Sequence, residues 1–508
     1  MQTRAPFLFC LLALTLSSCG SVSYSEYGFS PLNEEMFVQV DKQGYYRVGD
    51  YRNLVSNGRT IDTDFTAIFQ SGNVRFNMPS TGKVPLLVIP LDFEDSVGKE
   101  EGIFFIQSAF SGNKASNQYV SVAEYYDYCS QGRLQLSPYV APSFFRSSLY
   151  PRISDLSAIT GSGTSGVLQS LYNEALTWFK GSYPEKDLND FAFVAENGTK
   201  KVPLYFIYNA PYAGESDGSS NRDSMMWAFT INSPAPISWS SIDMMHVSSG
   251  KVDAHTYIHE TGHLLGLEDY YDPSSTGYVS RISPLGRMDM MDCSLGDMNA
   301  FSKMLLGWER PYVPTGECEI TLHQASGNNE SILLSPSWNG TLFDQFVLLE
   351  FYSPTGLNRV DATLRSDPAM RLFQKAGVKA YIVRSNLKIF NGRAPTGDYL
   401  NDSNYTGQRL YMGRLNTSLS EPLIQLLDKS SSSSALAPYF VASDHAEEVR
   451  YFQNGESGSI ALKEALFYEG EGIEGEAFSD LRLNGKELGC SFKVSSLSSG
   501  YAKIKITF

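Results

Sequence analysis

The segment "HETGHLLGLED", residues 259–269, carries His259 and His263 four positions apart, with Glu260 beside the first. In an α-helix residues four apart stack on one face, so the two imidazoles would converge on one tetrahedral ion. A carboxylate at Glu260 can take a proton from a water polarised by that ion and later pass it to a leaving amine. Gly266 stands three residues after His263. A helix must stop there if the chain is to bend back under the metal, and glycine tolerates the positive φ of such a turn. Asp269, three residues further, can then supply the third protein ligand and leave the fourth position to water. Glu268 competes for that role, but its offset breaks the Gly-x-x-ligand spacing. His255 shares the helix face one turn earlier and is expected to support the site or face solvent, because the other three ligands already complete it. His246, His323 and His445 have no partner spacing and read as structural.

The elements that must position these residues are legible as hydrophobic patterns. "VPLLVIPLDFED" at 84–95 and "VPLYFIYN" at 202–209 are apolar runs of the kind found in central strands buried on both faces. In "SVAEYYDYCSQGRLQL" the residues Val122, Tyr125, Tyr126 and Cys129 fall at helical spacing before Gly132, and a strand follows. Asp253 is a candidate N-cap for the histidine helix. From about residue 313 the pattern changes to short strands such as "CEITLHQ", "QFVLLEFYS", "VKAYIVRS" and "YAKIKITF". Asn-Gly at 339–340 and 484–485, and Ser-Gly at 326–327, 457–458 and 499–500, punctuate them as turns. Five serines, Ser430 to Ser434, read as a linker.

The pattern H-E-x-x-H-x-x-G-x-x-D, followed by Tyr270-Tyr271-Asp272, resembles the immune-inhibitor-A-type metalloproteases, the M6 family of the metzincin group. "PSTGKVPLLVIPLDFED", "SVAEYYDYCSQGRLQL" and "MDMMDCSLGDMNAFSKMLLGW" are similar to further segments of that family, over about residues 79–308. "FVLLEFYSPTGLN" resembles the β region that follows the protease unit. The resemblance implies one catalytic zinc ion on His259, His263 and Asp269, where other metzincins carry a third histidine, with Glu260 as general base. It also implies a Met-turn beneath the metal. Met291 fits that turn best and Met290 next, while Met288 stands where relatives have tryptophan.

The fold expected is an α/β (α+β) metzincin-like catalytic domain with a mixed sheet and a zinc helix, followed by a mainly β C-terminal region. The expected division is an export signal at 1–18, a tether with short β segments ("MFVQV", "TAIFQ") at 19–75, the protease domain at 76–312, a β-rich domain at 313–429, and the serine linker with a last β region at 430–508.

"MQTRAPFLFCLLALTLSSCG" has an apolar stretch from Ala5 to Leu16 that suits export and is too short to span a bilayer. The following Leu16-Ser17-Ser18-Cys19-Gly20 resembles the lipobox of bacterial lipoproteins, which implies lipid on Cys19 and anchoring at the outer face of a bacterial membrane. A net charge of −15 argues against nucleic acid as a partner. The acidic cluster of Glu268, Asp269, Asp272, Asp289, Asp292 and Asp297 could bind calcium, but no EF-hand-like spacing supports Ca2+. Cys129, Cys293, Cys318 and Cys490 are open to disulfides or free thiols. The function expected is a zinc endopeptidase acting on proteins or peptides outside the cell. The alternative is a surface adhesin or binding lipoprotein on a protease-like fold; the intact Glu260 disfavours the adhesin, and a solute-binding lipoprotein should show two similar α/β lobes where the sequence shows one.

Overall fold

The computed structural model describes residues 45–47, 78–157, 159, 163–195, 198–211, 225–231, 235–271, 283–336, 338, 344–364, 371–385, 387–391, 406–410, 423–427, 439–441, 457–459, 465–473, 482–483 and 485–508. Cys19, "MFVQV", "TAIFQ", His445 and the serine run lie outside the described residues. The chain is a mixed α/β protein.

Its first half is built on a five-stranded sheet. Strand β1 (Gly82–Leu91) lies between β2 (Leu134–Val140) and β3 (Leu204–Tyr208), all parallel, and β4 (Ile237–Ser241) extends the parallel run beyond β3. The last strand, Phe229–Ile231, pairs antiparallel with β4 and forms the edge. The alternation of side chains along β1 feeds two cores. Leu86 and Val88 join Tyr205 and Ile207 on one face, while Leu87, Ile89 and Leu91 join Leu204, Phe206 and Trp239 on the other. A strand buried on both faces has no polar side to show, which is why the run at 84–91 is apolar throughout. Helix α1 (Gly163–Ser182) covers the second face with Leu168, Leu171, Ala175 and Phe179, at spacings of three and four.

The first face carries the helices that matter for the site. Helix α2 (Val122–Cys129) opens with a capping box between Ser121 and Glu124. It is followed by Gly132 at φ +74°, which redirects the chain into β2. Helix α3 (His255–Leu264) holds both histidines of the motif. Asp253 is not its N-cap residue: Ala254 takes that position, and the Asp253 carboxylate accepts from the His255 N–H at 3.0 Å.

After residue 312 the described elements are mostly strands, and the first core continues into them without a break. A six-stranded sheet runs in the order 45–47, 312–314, 331–334, 345–352, 377–384 and 424–426. One face contributes Leu333, Phe346, Leu348, Tyr381 and Val383 to the core that holds Tyr257, Ile258 and Leu264 of α3. Its other face packs Val347, Leu349, Phe351 and Ile382 against Ile320, Phe492, Val494, Ile504 and Ile506 of a four-stranded antiparallel sheet. Ser457 and Gly458, expected as a turn, lie instead in a short strand opposite 439–441, so pairing overrides the local dipeptide preference. Among the described residues no helix is long and apolar enough to cross a membrane.

Candidate metal centre

The end of α3 forms a complete Schellman motif. Gly266 stands at φ +99°, its N–H donates to the His263 carbonyl at 3.0 Å, and the Leu267 N–H reaches back to the Gly262 carbonyl at 3.0 Å. The turn reverses the chain so that Leu267 and Asp269 face the helix they have just left. The Leu267 carbonyl accepts from His263 Nδ1 at 2.7 Å, and the Met290 carbonyl accepts from His259 Nδ1 at 2.8 Å.

These two bonds settle the tautomers. A carbonyl can only accept, so each Nδ1 carries the proton and each Nε2 of a neutral ring presents a lone pair. The two Nε2 atoms lie 3.1 Å apart, and Asp269 Oδ1 lies 3.0 Å from that of His259 and 3.3 Å from that of His263. With both rings neutral, these three atoms are electron-pair donors set in a small triangle. Metal–ligand bonds of about 2.0–2.1 Å in a tetrahedron give ligand separations of about 3.3 Å, so the donor set and its edges fit a zinc ion. Glu260 also brings a carboxylate within 4.8 Å of the imidazole nitrogens, but it is Asp269 that reaches both rings.

The electrostatics point the same way. Burial pushes the His263 imidazolium down, yet Asp269, Glu260 and the Leu267 carbonyl hold it up at about 10. Burial also favours the neutral form of Asp269, and His263 with His259 nevertheless keeps its carboxyl far below the usual range. The Asp269 carboxylate thus favours positive charge on the imidazoles it faces.

Glu260 is 5% exposed, and burial raises its carboxyl although His263, His259 and a hydrogen bond from Thr230 pull it down. Thr230 Oγ1 lies 2.8 Å from Glu260 Oε2 and 2.7 Å from Ser238 Oγ. Thr230 has one hydroxyl proton. If it serves the carboxylate, Ser238 donates to Thr230, and a chain of hydrogen bonds Ser238–Thr230–Glu260 runs from the sheet to that carboxylate.

Beneath the helix, Asp289 accepts from the Met291 N–H at 2.7 Å and starts the short helix Met290–Cys293. This places the fully buried thioether of Met291 against Gly262, where an added Cβ would stand 2.5 Å from its sulfur. The structure thus divides the expected Met-turn between two residues: Met291 packs under the helix, and the Met290 carbonyl orients His259. Tyr126 of α2 donates to the Ile258 carbonyl at 2.6 Å and braces the helix on the same face, where its hydroxyl would stand 3.4 Å from a Cβ added at Gly262.

His255 differs from its expectation of a supporting or solvated residue in one respect: it is buried. Its Nε2 faces Asp361 Oδ2 at 3.0 Å, its Nδ1 faces Asp253, and its ring stacks on Tyr119 at 4.1 Å. His323 pairs with Glu330, and the His246 carbonyl accepts from Gln118. Asp289, Asp292 and Asp297 find donors within the protein, namely the N–H groups of Met291, Asn299, Arg287 and Met298, with Lys303 on Asp297. The four cysteines are free thiols, and burial raises Cys129 well above its ordinary range and Cys318 and Cys490 to about 11.

His259, Glu260, His263, Asp269 and Met291 are brought together. Gly262, Thr230, Ser238 and the carbonyls of Leu267 and Met290 are contributors that spacing alone does not reveal. No protein-family model matches the chain, and no curated protein matches it significantly.

Proposed function

We propose that the chain is a zinc-dependent endopeptidase of the metzincin type, similar to the M6 metalloproteases, with α3 as its zinc helix. The observation that carries this reading is the triangle of His259 Nε2, His263 Nε2 and Asp269 Oδ1, with the Glu260 carboxylate beside it. Zinc held there would supply Lewis acidity, polarising a scissile carbonyl and making water more acidic.

The rest of the chemistry belongs to this chain. Glu260 takes the proton of the attacking water and returns it to the departing amine, so no covalent bond to the protein forms. Burial raises its carboxyl, which makes it a stronger base than an exposed glutamate. Thr230 holds one of its oxygens, leaving the other to accept. The expected setting is extracytoplasmic, with lipid on Cys19 as the anchor and extracellular proteins as substrates.

The test is Glu260→Gln, assayed for cleavage of an unfolded protein by mass spectrometry and for bound zinc. Loss of a general base costs about 10²–10⁴-fold, while the zinc content should stay at one ion per chain. Unchanged turnover would remove Glu260 from the mechanism.

A further inference from the structure

At the N-terminal side of α3 lies a cleft of roughly 190 Å³ whose charge runs against that of the chain. The protein carries 40 basic and 55 acidic side chains, yet the lining includes Lys114, Lys251 and Arg359 and, among the described residues, no carboxylate.

The walls are fixed. Lys251 Nζ donates to the Lys114 carbonyl at 2.8 Å, and Gln118 Nε2 donates to the Lys251 carbonyl at 3.0 Å, tying two loops together. Tyr119 is held by its hydroxyl on the Leu357 carbonyl at 2.7 Å. Asn117, also in the lining and 3% exposed, donates through Nδ2 to the Ser108 carbonyl at 2.9 Å, while its buried Oδ1 has no partner among the described residues. A buried amide oxygen without a donor is costly unless a ligand supplies one.

The ligand must therefore be an anion that carries a hydrogen-bond donor close to its charge. The volume falls below the 300–1,000 Å³ or so of pockets that enclose a whole small molecule, so the cleft suits one end of a longer chain. Val360, Leu364 and the Tyr119 ring add an apolar wall. We propose that this cleft recognises the C-terminal carboxylate of a peptide, with the terminal amide N–H on Asn117 and an apolar last side chain against that wall. Tyr119 stacks on His255, one turn or about 6 Å along α3 from His259, and the cleft lining includes none of His259, Glu260, His263 and Asp269.

The experiment titrates N-acetyl-alanyl-leucine and its C-terminal amide into the full chain carrying Glu260→Gln, which keeps the probe from turnover, with and without zinc. The acid should bind at least tenfold more tightly than the amide, equally well in the zinc-free protein. Arg359→Ala should weaken the acid about tenfold and leave the amide alone, with Arg359→Lys restoring part of the loss. Equal binding of acid and amide would overturn the proposal. So would binding that requires zinc, which would place the carboxylate at the metal, or displacement of the acid by inorganic phosphate at lower concentration, which would mark a simple oxyanion site.

Discussion

Asp269→Asn keeps the shape of the side chain facing the two imidazoles and removes its charge. In the ion-free protein the Asp269 carboxylate, 3.3 Å from His263 Nε2, helps to hold that imidazolium up at about 10 against the burial that pushes it down. At pH 7.5 a group titrating near 10 is neutral in only about one molecule in 300, so an incoming zinc ion must expel a proton. The metal binds the neutral ring, and therefore affinity rises with pH, about tenfold per unit, until the pH passes the folded value. Without the carboxylate only Glu260 and the Leu267 carbonyl oppose burial, so His263 is neutral over a wider pH range and the slope flattens. The affinity itself still falls, because a neutral amide oxygen replaces an anionic ligand. Calorimetric titration of zinc in two buffers of different ionisation enthalpy reads both quantities. About one proton per ion is expected for the wild type and a smaller number for the variant. Equal proton release by the two proteins would refute the reasoning, since Asp269 would then not be the partner that sets the charge of His263.

Thr230→Val should reduce turnover about tenfold with little change in KM or zinc content, and Thr230→Ser should recover most of it, because only the hydroxyl on Glu260 is in question; equal loss in both variants would point to packing of the edge strand instead. Cys19→Ser should move the protein from detergent-soluble membrane fractions into buffer, since the −15 chain has no net attraction to an anionic surface; unchanged partitioning would end the lipid-anchor reading.

Local signals served best where the physics is local. The helix, its glycine stop and the return of Asp269 follow from i, i+4 geometry and one positive φ, so the spacing of 259–269 contains them. The central strands were equally plain because both faces are buried and the whole run is apolar. The edge strand Phe229–Ile231 was not, being three half-buried residues with no period to detect. Thr230 meets Glu260 through the sheet, thirty positions away, and nothing in its own neighbourhood signals that contact. For His255 the sequence leaves a supporting and a solvated place open, and burial against Asp361, 106 residues downstream, removes the solvated one. The side chain of Met290 is what a sequence pattern can register, yet it is the backbone oxygen of this residue that accepts from His259 Nδ1.

The shared core around α3 also governs when the site can exist. Asp361 grips both His255 and the Gly296 N–H, which lies 65 residues before Asp361 in the chain, while Glu350 accepts from the Ala300 N–H at 2.8 Å. A chain delivered from its N-terminus exposes both histidines and Asp269 well before these clamps arrive. Contacts of such sequence separation form late, after long loops have closed. The ligands are therefore present on an emerging chain before the geometry that aims them, and a nascent or truncated product lacking the strands beyond 344 would carry the whole motif without a settled metal site. Synthesis itself then acts as a timer, withholding the assembled centre until the second half of the molecule is in place.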